Sequence, residues 1–458
     1  MMGPDIKAAG MLRRKTTRRR IGTTALGGAV ALVVALTGCS STASGSAASN
    51  SDAAGSHSKT IDKHLAGTTI TILMPPWANM GNAKYAEFTK RTGINVKLDI
   101  EQFDQVHDKV VTAMASGVAP ADVIEVDSLW MGQFGTPGWL TPLEAYLPES
   151  ILSSVGAKSI FQFQGKQIAM PYALDFRWIA ANMTLLQKAG INEPPTSWSS
   201  MLAAAKALKA KGVAEYPIGM PLSVTAETAE PWLNLTEMDG GGILDAQGKP
   251  AFNDPSSPGY KALTFLRTCY EAGLINPAYV SVQGEKVQLD IAAGRVVFDM
   301  RNGPSIIYTD PKTSSIAKDK IVHIVMGETG PSKTVYGLPE GMGIPSNSSR
   351  KDAAAMFIAW YNETPQQAFM YTHQIPGVLP AQPAALAALI SNGTLSDGQA
   401  IKQILPGVKA LFPAGAPTWW PAFANDAAAT VQAVVLGHQS VTAGLNDLAA
   451  KTTALSTK

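Results

Sequence analysis

The residues of this 458-residue chain that could do chemistry are its carboxylates, six histidines, two cysteines and nine tryptophans. Their spacings do not match the common catalytic patterns. No Gly-x-Ser-x-Gly elbow presents a serine, and no His-Glu-x-x-His pair puts two imidazoles on one helix face. His57, His64, His107, His323, His373 and His438 are scattered without metal-ligand spacing, so neither a metal nor a cofactor is expected. Residues 242–249 carry glycines at the wrong interval for a phosphate loop, with Pro250 where a hydroxyl residue is needed. A glycosidase needs only two carboxylates at a suitable separation, which a sequence does not reveal, so an exported glycan hydrolase stays open as an alternative. The tryptophans suit a different task. Flat rings stack on sugar faces, while Asp, Glu, Asn and Arg satisfy sugar hydroxyls once water is expelled.

The elements that would position such groups are legible near the start of the body. Ile70 and Ile72 alternate with Thr69 and Thr71 as in a strand, and a helical stretch with Tyr85 and Phe88 ends at Gly93. A second strand carries Val96, Leu98 and Ile100. Phe103, Val106, Val110 and Met114 then recur at helical spacing up to Gly117, and Val123, Ile124 and Val126 form a third strand. This β-α-β-α-β series predicts an α/β fold with a parallel sheet, whose ligands lie beyond the carboxyl ends of the strands. Trp77 and Asn79 follow the first strand; Asp127, Ser128 and Trp130 follow the third. All five are candidate ligand contacts, with lobe-surface packing the rival role for the two tryptophans.

The N-terminus reads as an export signal: six basic residues within 13–20, an apolar run over 25–36, then Leu36, Thr37, Gly38 and Cys39. That end resembles the lipobox of bacterial lipoproteins, which implies lipidation of Cys39 and an outward-facing, membrane-anchored protein. Arg18, Arg19 and Arg20 leave Sec and twin-arginine export both open. Residues 39–66, rich in Ser, Ala and Gly, read as a flexible tether. Removing 1–38 takes seven basic and one acidic residue from totals of 37 and 35, leaving a body about four charges negative. That balance gives no reason to expect nucleic acid. With Cys39 lipidated, Cys269 has no partner and is expected to be a buried thiol.

Asp122, Val123 and Ile124 with the Gly138–Leu143 element, and Met170, Pro171, Tyr172 and Asp175 followed by Asn182, resemble segments of carbohydrate-type extracellular solute-binding proteins of bacterial ABC importers, the family of maltose-binding protein. Pro194, Pro195, Thr196 and Trp198 match a further pattern, and Gly303, Pro304 and 337–345 resemble later crossings between lobes. The resemblance implies two α/β lobes with ligand enclosed between them, hinge closure, and delivery to a membrane permease. It divides the chain into 67–172 with 303–340, and 173–302 with 341–458.

By the same resemblance Glu230, Pro231 and Trp232 match an acidic-Pro-aromatic cleft motif, with core packing the rival role for Trp232. Asp175 faces ligand or caps a helix. Arg301 and Asn302 stand beside a crossing, where Arg301 binds hydroxyls or pairs between lobes. One of Trp419 and Trp420 is expected to face ligand. Ser305 stands where many relatives carry tryptophan, which favours a short, polar guest: a disaccharide, an amino sugar or a glycerol-phosphate ester. A glycerophosphodiester or peptide receptor is the remaining alternative. No heptad or exposed stripe indicates oligomers, so a monomer is expected.

Overall fold

The computed structural model describes residues 65–457 apart from 283, 304–313, 374–377, 396–397 and 413–414. The signal, Cys39 and Ser305 lie outside the described residues.

β1 (Thr69–Met74) turns Ile70, Ile72 and Met74 to one face and Leu73 to the other, the two-residue period of its sequence. β2 (Asn95–Ile100) and β3 (Val123–Asp127) flank it in parallel, with Ile72 opposite both Leu98 and Val123. The helices Asn82–Thr92 and Phe103–Ala115 connect them. Gly93 closes the first at φ 77°, a left-handed conformation open to glycine. Strand order therefore reverses between β1 and β3, and ligand crevices open at such reversals.

A short hairpin of β4 (Gln162–Phe163) and β5 (Lys166–Gln167) leads into β6 (Met170–Ala173). The second sheet holds β7 (Trp178–Asn182), β8 (Ile218–Gly219), β9 (Phe298–Asn302) and β10 (Ile321–Ile324) in the order β10-β7-β9-β8. After β11 (Val335–Gly337), β12 (Glu340–Gly343) returns to the first sheet, antiparallel to both β3 and β6. β13 (Val408–Ala410) pairs in parallel with β11. Each sheet has its own apolar core. Val106, Val110 and Phe134 cover one face of the first sheet, Phe88, Phe357 and Tyr361 cover the other, and Trp178, Phe252, Phe298 and Leu445 belong to the second lobe.

The division of the chain differs from the one its motifs imply. They place a crossing at Gly303 and Pro304 and give 303–340 to the first lobe. Instead β10 pairs with β7, Ile321 opposite Asn182, which puts Ile321–Ile324 in the second lobe. Asn182 fixes the entry, because its Nδ2 donates to Asp319 at 2.7 Å while its Oδ1 accepts from Leu185 N at 3.1 Å. Nor does everything after 341 belong to the second lobe. The helix Lys351–Tyr361 buries Phe357, Ile358 and Tyr361 against the first sheet. Its run of alanines and large apolar residues suits either lobe, so composition did not assign it.

The chain crosses at 174–177, at 338–339 and before Pro383. These segments are tied side by side: Leu338 N donates to Asp175 O at 2.8 Å, Arg177 N to Tyr336 O at 2.9 Å, and Leu174 N to Leu379 O at 2.9 Å. Cys269 is 1% exposed, and burial pushes its thiol up to about 12, so it is a packing residue.

Candidate ligand-binding site

The reversal between β1 and β3 places two short turns at the mouth of the first sheet. The turn Pro76–Ala78 carries Trp77, half-buried, whose Nε1 donates to Glu340 Oε2 at 2.7 Å. Glu340 opens β12 and also accepts the Tyr172 hydroxyl at 2.6 Å; that hydroxyl lies 3.1 Å from Glu125 Oε2 on β3. Burial pushes both carboxyls up, Glu340 to about 8, with neighbouring carboxylates adding repulsion. Tyr172 has one proton to give. The chain is satisfied when Glu125 is a neutral acid donating to Tyr172, which in turn donates to Glu340.

The second turn, Ser128–Trp130, follows Asp127, whose Oδ1 accepts from Leu129 N at 2.7 Å. Asp127 is 5% exposed; burial and the nearby Glu230 outweigh that hydrogen bond and raise its carboxyl to about 7. The adjoining Ser128 hydroxyl is buried without a partner.

Charged groups reach the same place from the hinge and the second lobe. Arg177, on the first crossing, pairs with Asp175 Oδ2 at 2.5 Å and Glu230 Oε2 at 2.6 Å. Arg301, on β9, pairs with Glu230 at 2.8 Å and Glu227 at 3.0 Å. Both acids stand on the helix Ala226–Met238, one turn apart. Burial opposes the Glu230 anion, yet the two guanidiniums prevail and its carboxyl titrates below the usual range. Tyr336, from β11, is buried in the fields of Glu230, Asp127, Arg177 and Arg301.

Asp127, Asp175, Glu230 and Arg301 thus come together, with Ser128 and Trp77 on the first-lobe side. Asn79 shapes the turn, accepting from Gly81 N at 2.9 Å. Asn302 ends β9, and its side chain lies outside the description. The four other tryptophans named as candidates are placed differently. Trp232 is a core residue, 1% exposed, edge-on to Phe252 at 5.4 Å, with its Nε1 donating to Gly259 O at 2.8 Å. Trp130 is 5% exposed, its ring stacked on Phe103 at 4.7 Å and packed beside Phe134. Trp420 packs between Phe412 and Phe423. Trp419 borders a groove with Leu244, Lys249, Phe412 and Thr453, all second-lobe residues. Arg301 pairs within its own lobe rather than between lobes.

Arg177, Glu227, Tyr336 and Glu340 were missed. Arg177 had one visible signal, a lone charge between Phe176 and the apolar Trp178-Ile179-Ala180-Ala181 run. Glu340 sits in a breaker-rich segment that reads only as a crossing. Among the described residues, no group of three or more His, Cys, Asp or Glu could hold a metal ion.

Comparison with solved structures gives the same fold. A solute-binding protein of an ABC transporter from Agrobacterium radiobacter K84, in complex with ribitol, superposes with TM-score 0.74 at 20% identity over 85% of this chain and 99% of that one. Another from Thermotoga lettingae TMO, bound with α-D-tagatose, gives 0.73 at 21% identity over 85% and 99%. In sequence, a Brucella abortus (strain 2308) protein that bears a binding-protein name is 25% identical over 378 residues, 81% of this chain and 88% of its own length. Two lobes and polar groups converging from both at a strand-order reversal are what a solute receptor requires. Residues 72–368 match the family model for bacterial extracellular solute-binding proteins, and this chain belongs to that family.

Proposed function

We propose that this chain is the outward-facing receptor of an ABC importer, that it captures a sugar or polyol by closing two lobes around it, and that it makes or breaks no bond. The observation that carries the reading is the convergence of Trp77, Asp127, Asp175, Arg177, Glu230 and Arg301 where the crossings meet the open ends of β1 and β3. A ring stacks on a sugar face; carboxylates accept hydroxyl protons and guanidiniums donate to hydroxyl oxygens. Structural neighbours solved with ribitol and α-D-tagatose support a guest of that class. The receptor is anchored by lipid on Cys39, and its closed form docks on permease subunits.

A thermal-shift screen of the mature protein against monosaccharides, disaccharides and polyols tests the reading, because a ligand that binds only the folded state raises the melting temperature. At least one should do so, and chromatography should return it uncleaved. Stabilisation by peptides or glycerophosphodiesters alone would sink the sugar reading. Release of cleaved oligosaccharide would restore the hydrolase.

A further inference from the structure

The charges of the site do not balance. Asp175, Glu227 and Glu230 share the guanidiniums of Arg177 and Arg301, so these three acids and two bases are mutually paired. Asp127 stands outside that arrangement. It is buried at the end of β3, and the hydrogen bond it accepts comes from the neutral Leu129 N–H. Beside it the Ser128 hydroxyl is 4% exposed and unpartnered, on a turn packed against the second-lobe helix Trp420–Val435. A buried carboxylate without a counter-charge must take up a proton or meet a cation. A neutral sugar hydroxyl satisfies its lone pair but not its charge.

Resting on the sugar-receptor reading above, we infer that the site selects a polyhydroxylated ligand bearing an ammonium group, an amino sugar or amino polyol, with the ammonium at Asp127 and a neighbouring hydroxyl at Ser128. The ammonium supplies the positive charge that the two arginines, already committed, do not. The ionisable groups whose fields act with Asp127 are Glu230 on the second-lobe helix, Arg177 and Asp175 on the first crossing, Glu340 on β12, Glu125 on β3 and Tyr336 on β11. Among them Glu230 and Asp175 repel the Asp127 anion, and a cation there relieves that repulsion. Uronic acids and sugar phosphates would add negative charge to the same place and are excluded.

Calorimetric titration of the mature protein with two matched pairs tests this: D-glucosamine against D-glucose, and D-glucamine against D-glucitol. Each amine is expected to bind about tenfold or more tighter than its neutral partner, since charge-assisted hydrogen bonds exceed neutral ones. In Asp127→Asn the preference should shrink to about twofold or less. A second measurement needs no variant. Near neutral pH Asp127 is partly protonated, and a cation that lowers its pKa expels that proton, so D-glucamine binding should release protons when buffers of different ionisation enthalpy are compared, and D-glucitol should not. Neutral partners binding as tightly as the amines, or a preference that survives Asp127→Asn in a folded variant, would overturn the inference and leave the sugar receptor standing. Failure of every neutral and cationic member of the panel to bind would bring down both.

Discussion

Trp232 sits edge-on to Phe252 with its N–H given to the Gly259 carbonyl, while Trp77 gives its N–H to a carboxylate and leaves part of its ring uncovered. The two indoles therefore fail differently when truncated. Trp232→Ala removes a fully buried side chain and orphans a carbonyl, which should cost about 3–5 kcal/mol of unfolding free energy in urea titration. Ligand affinity of the protein that remains folded should stay within about twofold of wild type, because the ring faces Phe252 and Gly259 rather than the charged cluster. Normal stability with lost binding would return Trp232 to the site. Its neighbours Glu227 and Glu230 stay in the site because they occupy a different face of the same helix, and Arg301 meets both. On this helix Glu230 and Trp232, two residues apart, face different sides.

Strand ends concentrate the acids. Glu125 on β3, Tyr172 on β6 and Glu340 on β12 meet across three neighbouring strands, so the edge that carries the candidate site also stores two carboxyls whose pKa values are raised. Unfolded, these groups titrate at about 4.3; folded, they hold their protons to higher pH, so the folded state binds more protons across the window between. Stability is therefore fullest below that window and declines as pH rises through it to about 8. Glu230, held down by two arginines, has the opposite sign and acts only on further acidification. The melting temperature of the ligand-free protein should fall between about pH 5 and pH 8, and Glu340→Gln should flatten the fall; scanning calorimetry across that range decides it, and a wild-type melting point that climbs instead would refute it. The first three strands were legible because local periodicity and glycine caps suffice for a β-α-β-α-β series, and they placed Trp77, Asp127 and Ser128 correctly at strand ends. Arg177, Tyr336 and Glu340 were not legible as site residues. They come from crossing segments more than 150 residues apart that meet only through hinge hydrogen bonds. The reading that gave the segment of β10 to the first lobe failed for the same reason, since its partner is β7, far back in the chain.

Closure is a property of both lobes together, and one glycine marks where they meet. Gly132 lies on the short first-lobe helix Met131–Gly135, and a Cβ built there would stand 2.0 Å from the carbonyl oxygen of Ala416, a second-lobe core residue, and 2.9 Å from the Pro417 carbonyl carbon. A flexible side chain could turn aside, but a backbone carbonyl yields only if the segment or the lobe moves. Gly132→Ala should thus leave each lobe's core intact while penalising the approach of the two. In a two-state open-closed equilibrium the apparent affinity scales with the fraction able to close, so a penalty of about 1.4 kcal/mol weakens binding about tenfold. The variant should show weaker ligand binding by calorimetry and a larger radius of gyration by small-angle scattering at a ligand concentration that half-saturates wild type, with a ligand-free melting temperature close to wild type. Unchanged affinity and unchanged scattering would mean that the segment at 416–417 relaxes locally and that closure does not depend on this contact.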